Sequence, residues 1–342
     1  MKEILIGDNE TGKRLDVLLR QSLPNAGSGF LYKMLRKKNI TLNGHKADGT
    51  ERLAKGDLVR IFFSDNTLNK FSGTKMSTSD LDDTGPESVN AGYFINCYEK
   101  IENKGKIGIV YEDEDVIVIN KPSGLLSQKS TPESISVNEW LIGYLLTKGI
   151  ITPDQLFTYR PSVVNRLDRN TSGLLLCACN LKAARALSKA VKERRVGKFY
   201  RCIVYGKYYG RAVLRGYMLK DNDNFVNVFE EDENIPENAK YMESKVTFLK
   251  YNNTHDVSLL EIDLVTGRSH QIRVSLFCEG FPIVGDRKYF RPENDSVLLK
   301  EFNISSQLLH AYRLDFTDFH DDDLPGISGR ILTAEDMFPP LL

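Results

Sequence analysis

At 342 residues, 41% of them hydrophobic, the chain has the length for two domains and a large core. Lysine plus arginine and aspartate plus glutamate number 46 each, so the net charge is zero. That balance argues against a protein that coats nucleic acid indiscriminately, while leaving room for local basic surfaces. No apolar run reaches the length of a membrane span, and the first residues carry charges too early for a secretory signal. Five cysteines without a C-x-x-C pair suit neither a zinc site nor a disulfide framework, so a reducing cytoplasm, no membrane and no metal are expected.

Residues 1–63 carry 12 lysines and arginines against 7 acidic residues, a local charge of +5. An amphipathic helix is predicted over Arg14–Leu23, with Leu15, Leu18 and Leu19 on one face, ended by Pro24. A second is predicted from Ser28, as N-cap, to Lys38, where Arg36, Lys37 and Lys38 form a basic end that also suits the helix dipole. Ile40 and Leu42, a turn at Asn43-Gly44 and a strand over 57–63 complete the unit. From Ser64 to Gly105 the chain turns to serine, threonine, aspartate, asparagine and glycine, read as a flexible or partly disordered linker and a domain boundary in which Tyr93, Phe94 and Ile95 can pack on a neighbour. Residues 106–342 are then the second domain.

In that domain IGIVYEDEDVIVINK (107–121) predicts two strands around an acidic turn. A helix over Val137–Lys148 follows, capped by Ser136 and Glu139, with Trp140, Leu141, Tyr144 and Leu145 at helical spacing. The most informative stretch is Ser162–Asn180. A polar knot from Asn165 to Gly173 feeds the apolar run Leu174–Cys179, read as a buried strand. The knot sets Asp168 between Arg166 and Arg169, an arrangement that favours the carboxylate and by itself fits a structural ion pair. A helix over 181–196 pairs a stripe of Leu181, Ala184, Leu187 and Val191 with a basic stripe of Lys182, Arg185, Lys189 and Lys192, read as a phosphate track. A strand opens at Lys198-Phe199-Tyr200, an acid-rich surface excursion spans 221–240, and a strand over 257–266 leads into a helix that ends at Cys278.

Three segments together resemble the RluA family of RNA pseudouridine synthases. Arg166-Leu167-Asp168, with Thr171-Ser172-Gly173, matches its motif II, Asn165 standing where the family has histidine. Gly267-Arg268-Ser269-His270-Gln271-Ile272-Arg273 is similar to its motif III, Lys198-Phe199-Tyr200 to its Lys-x-Tyr element, and Lys121-Pro122 with Gly124 to its motif I. Gly285-Asp286 with Tyr289, and Leu309-His310-Ala311, match as well. Residues 14–16, 33–43 and 56–57 resemble the S4 RNA-binding module.

The resemblance implies an α+β fold, with a small S4-like RNA-binding module ahead of a catalytic domain on a mixed, mostly antiparallel sheet. It implies Asp168 as nucleophile, Arg273 as its ion-pair partner, Tyr200 against the target base, and Arg166 filling the gap left by a flipped uridine. Arg268 and the Arg36–Lys38 cluster would bind RNA. The reaction is an isomerisation and needs no cofactor. Large-subunit ribosomal RNA is the expected substrate and partner, with transfer RNA as the alternative, and the chain is expected to act as a monomer. Two other classes compete. A non-catalytic RNA-binding or assembly protein would have no need of Asp168, and a hydrolase would need a base beside it that the sequence does not offer.

Overall fold

The computed structural model describes residues 1–71, 91–220, 226–230, 235–290, 296–335 and 338–342. The chain divides into two compact units: Met1–Lys100, Glu139–Pro161 and Asn180–Lys182 form one, and Ile101–Asn138, Ser162–Cys179 and Ala183–Leu342 the other. Residues 139–161 thus join the first unit in the fold, an arrangement that a cut at one point along the chain does not describe.

In the first unit β1 (Lys2–Leu5), β2 (Ile40–Leu42), β3 (His45–Lys46) and β4 (Leu58–Ile61) form a sheet of order β1-β4-β2-β3. Helices α1 (Leu15–Ser22) and α2 (Ser28–Arg36) bury Leu15, Leu18, Leu19, Leu31 and Leu35 with Ile40, Val59 and Ile61 in one core. The N-cap of α2 is Gly27, one residue earlier than expected: its carbonyl accepts the amides of Phe30 and Leu31, and Ser28 is already helical. Arg36, Lys37 and Lys38 are exposed at the helix end, with Lys38 in the left-handed conformation.

The expected linker is in part ordered. Helix α3 (Asp65–Phe71) buries Leu68 in the core of this sheet and sets Phe71 against Phe30, ring centroids 4.6 Å apart. Helix α4 (Ala91–Glu102) buries Phe94, Cys97 and Ile101. Phe94 packs as its apolar neighbourhood allowed, but a serine- and aspartate-rich setting hides the helical period of these short stripes. The most polar part of the segment, 72–90, lies outside the described residues. The partner of α4 carries Gly143, where a Cβ would stand 2.2 Å from the Phe94 carbonyl oxygen, so only glycine allows that approach.

The second unit is built on an eleven-stranded sheet, mixed and mostly antiparallel as expected. In chain order its strands are β5 (Gly108–Glu112), β6 (Val116–Lys121), β7 (Ser162–Val163), β8 (Ser172–Ala178), β9 (Gly197–Tyr205), β10 (Val213–Lys220), β11 (Val226–Phe229), β12 (Lys240–Asn252), β13 (Val257–Asp263), β14 (Leu309–Asp315) and β15 (Ile331–Thr333). The main path runs β11-β10-β12-β13-β9-β14-β8-β6-β5, with β15 on β14 and β7 on β8. The parallel pair is β8 with β14, and there Gly173 (φ +114°) faces Ala311: a Cβ would lie 2.3 Å from the Ala311 carbonyl oxygen. The glycine that ends the polar knot therefore lets β8 and β14 close up at that point.

Helix α5 (Val137–Thr147) begins where Ser136 Oγ accepts the amide of Asn138. In α6 (Leu181–Lys192) the buried stripe is Ala183, Leu187 and Ala190. Leu181, Ala184 and Val191, expected inside, are only half-buried, so the stripe is centred one residue from where the sequence put it. The cations of its other face are exposed. Of the expected acidic excursion, 221–225 and 231–234 lie outside the described residues, and the part between them contains β11. Helix α7 (Gln271–Cys278) follows β13, and the short α8 (Ser296–Glu301) precedes β14.

Candidate active site

The loop before β8 is braced from three sides. Lys121, the last residue of β6 and 0% exposed, donates from Nζ to the carbonyls of Pro122 (2.9 Å), Leu125 (2.9 Å) and Arg169 (3.1 Å). Three acceptors match the three hydrogens of an ammonium. Burial nevertheless brings the group down to about 7, with the charge of Asp168 pulling the other way. Ser127 Oγ accepts the Leu167 amide at 3.0 Å and donates to its carbonyl at 2.9 Å, and the Leu176 amide donates to Asn165 Oδ1 at 2.8 Å. Asn165, where the family has histidine, is thus an anchor between the loop and β8.

The second segment is Gly267–Arg273. Gln271, buried, fixes its turn: Oε1 accepts from the Arg268 amide (3.0 Å) and Thr266 Oγ1 (2.8 Å), while Nε2 donates to the Glu243 carbonyl and Ser244 Oγ. His270 takes a left-handed backbone (φ 59°) at the N-cap of α7. The first turn of that helix carries Arg273, which is 7% exposed.

Here the segments meet, across 105 residues of sequence. Arg273 Nη1 donates to Asp168 Oδ2 at 2.9 Å. The rest of the guanidinium is occupied by Asp286, 3% exposed: Nε donates to its Oδ2 (2.7 Å) and Nη2 to its Oδ1 (2.8 Å). Burial opposes the Asp286 carboxylate, but the hydrogen bonds and charge of Arg273, helped by the amides of Lys288 and Tyr289, hold it below the ordinary aspartate value. Arg273, despite its own burial, is raised by Asp286 and then by Asp168, and stays charged. Asp168 itself is a quarter exposed, and Oδ1 has no hydrogen-bond partner among the described residues. The expectation that Arg166 and Arg169 hold it is corrected: both are exposed, and the cation in contact is Arg273.

His270 Nε2 stands 3.9 Å from Asp168 Oδ2, and its Nδ1 is 2.7 Å from the Tyr289 hydroxyl. Burial lowers the imidazole below its ordinary value against the pull of Asp168. Tyr289 also places its ring 5.3 Å from the Arg273 guanidinium carbon. Tyr200, in β9, is 5% exposed; burial, and secondly Asp168, raises its phenol, so it stays protonated.

A cleft of about 650 Å³ opens over Asp168. Its wall carries Arg166, Arg169, Arg268, Arg273, Arg287 and Lys288, and among the described lining residues Asp168 is the one carboxylate. Arg268 donates from Nε to the Tyr241 carbonyl at 3.0 Å. A smaller pocket of about 70 Å³ adjoins it, lined by Asp168, Tyr200, Leu264, Ile272 and Leu309. The fold therefore brings Asp168, Tyr200, Arg273, Arg166 and Arg268 around one site, whereas Arg36, Lys37 and Lys38 belong to the other unit. Asp286 and Lys121 had no role in the sequence reading. Both were visible only as parts of motif matches, and a lysine closing an apolar strand gave no sign that it would be wholly buried.

Such a site joins one carboxylate, a small adjoining pocket lined by Tyr200 and apolar side chains, and a cationic rim suited to phosphates. A family model described as RNA pseudouridylate synthase matches residues 115–277. The chain is 33% identical over 283 residues to a ribosomal large subunit pseudouridine synthase C of Rickettsia conorii, spanning 82% of this chain and 83% of that one. It is 27% identical over 328 residues to an uncharacterized RNA pseudouridine synthase of Mycoplasma genitalium, spanning 94% and 91%. Human RNA pseudouridylate synthase domain containing 4 shares the fold, with a TM-score of 0.52 at 20% identity over 72% of this chain and 93% of that chain.

Proposed function

The chain belongs to the RluA-like family of RNA pseudouridine synthases, and from that premise we propose that it isomerises specific uridines of large-subunit ribosomal RNA with Asp168 as nucleophile. The reaction breaks the bond between ribose C1′ and uracil N1, makes one from C1′ to C5, moves a proton from C5 to N1, and leaves composition unchanged. Attack by a carboxylate splits such an exchange into two easier displacements. The observation that carries the reading is the Arg273–Asp168 hydrogen bond of 2.9 Å at the base of a cation-lined cleft. Arg273 holds and aims Asp168 through Oδ2, leaving Oδ1 for the substrate. Tyr200, beneath the site with Leu264 and Leu309, offers its ring to the detached uracil. Exposed Arg166 fills the space that the flipped uridine vacates, and Arg268 contacts the backbone.

An S4-like module formed by the first 63 residues, with Arg36, Lys37 and Lys38 on phosphates, supplies a second contact on a large folded RNA. The ribosomal choice is carried by the names of relatives such as those of Rickettsia. Pseudouridine mapping of ribosomal and transfer RNA from cells with and without the gene tests it. Sites lost from large-subunit RNA are expected, and sites lost only from transfer RNA would overturn the substrate while leaving the reaction.

A further inference from the structure

The catalytic cleft shares a wall with a second cleft of about 610 Å³ in the same unit: Asn170, Ser305, Ser306 and Gln307 line both. The wall is cross-braced, since Ser123 Oγ donates to the Asn170 carbonyl (2.9 Å) and meets Ser306 Oγ at 3.0 Å. Asn170 lies two residues from Asp168 and lines both clefts, so the second cleft opens beside the first.

The lining of the second cleft is chemically distinctive. Among the described residues it includes no carboxylate, which suits a ligand that carries phosphate. It holds the amides of Asn120 and Asn303, the rings of Phe302 and Phe338, and exposed Lys106 at its edge. Asn120 is out of character with its strand. The four residues before it in β6, Val116 to Ile119, are fully buried, while Asn120 is half-buried on the cleft and its side chain has no hydrogen-bond partner among the described residues. A carboxamide left with its donor and acceptor unused beside aromatic rings is the equipment that reads the edge of an unstacked base. The volume lies in the range of pockets that enclose a single small ligand.

We propose that this cleft takes one unpaired nucleotide of the substrate RNA, close to the target uridine in the same strand. Its base is read by Asn120 and Asn303 and lies against Phe338, and its phosphate sits at Lys106. The inference rests on the RNA reading above and extends it to the choice of sequence around the target. An RNA fragment carrying the mapped site, with 4-thiouridine substituted at one position at a time, is bound to the full-length protein and irradiated. One position beside the target should cross-link to the peptide holding Phe302 or Phe338. Asn120→Ala and, as a surface change that leaves the core intact, Lys106→Gln should each weaken binding about tenfold, the loss of one or two hydrogen bonds. No cross-link to either peptide, with unchanged affinity in both variants, would overturn the proposal. Binding and cross-linking are read without turnover, so an inactive wild-type protein that still cross-links there would count against the reaction and not against the cleft.

Discussion

One guanidinium serves two carboxylates at the centre of this site. Asp286 takes two of its donors and Asp168 a third, so the direction in which Arg273 presents Nη1 is set by a buried acid that does not itself line the cleft. On the proposed mechanism Asp286 acts as a positioning residue. Asp286→Asn keeps the size but weakens the bidentate grip, and a misplaced first-turn arginine should lower the single-turnover rate of pseudouridine formation about 100-fold, the usual cost of a small displacement. Affinity for RNA should stay within about threefold, because the cations of the rim remain. An unchanged rate would mean that Asp168 is held well enough without this clamp. That Asp168, Tyr200 and Arg273 would come together was legible because each sits in a motif of fixed spacing. Asp286 was not assigned, because neither periodicity nor spacing tells which aspartate will meet a given arginine; that is decided where α7 meets the segment that follows it, ahead of α8.

At the scale of elements, the end of β6 is tied to the Asp168 loop through the buried Nζ of Lys121. Lys121 falls to about 7 in the fold against an ordinary 10.5, so between those values the unfolded chain holds a proton that the folded chain has released. Stability from this group accordingly rises with pH from about 7 to about 10.5 and is flat below 7, at most about 1.4 kcal/mol per pH unit. Lys121→Met should remove that slope and lower overall stability by about 2 kcal/mol or more, as three carbonyls lose their donor. Denaturant titrations of both proteins at pH 7 and pH 9.5 check it, and parallel pH dependences would show that Lys121 keeps an ordinary pKa.

The strands of the central sheet were largely readable, since Val116–Ile119 and Leu174–Ala178 are apolar on both faces, as buried strands are. Strand β12 was not read. Its inward Met242, Ser244 and Val246 alternate with exposed Lys245 and Thr247, but the run follows an acid-rich stretch, and a register shift between Phe248 and Lys250 flips the phase. Helix α4 was missed for a related reason: its apolar stripe is short and adjoins the most polar part of the chain.

Over the whole molecule a net charge of zero coexists with concentrated cations, six of them around the cleft over Asp168 and three at the end of α2. Neutralising the second group in the triple variant Arg36→Gln, Lys37→Gln, Lys38→Gln leaves the core of its unit untouched, as all three are exposed. It should reduce the slope of log affinity against log salt by about 2 to 3, one phosphate contact for each charge. An unchanged slope would remove the first unit from RNA binding. That variant is preferable to deleting residues 1–63, because residues 139–161 fold with them. The reaction itself is tested most directly at Asp168. Chemical labelling specific for pseudouridine, needed because the product has the mass of uridine, is applied to RNA treated with wild-type and Asp168→Asn protein. Wild type should form pseudouridine at defined sites, and Asp168→Asn should still bind the RNA but lose on the order of 10⁴-fold or more in rate. Pseudouridine formed by the variant at close to the wild-type rate would contradict the assignment of Asp168 as nucleophile.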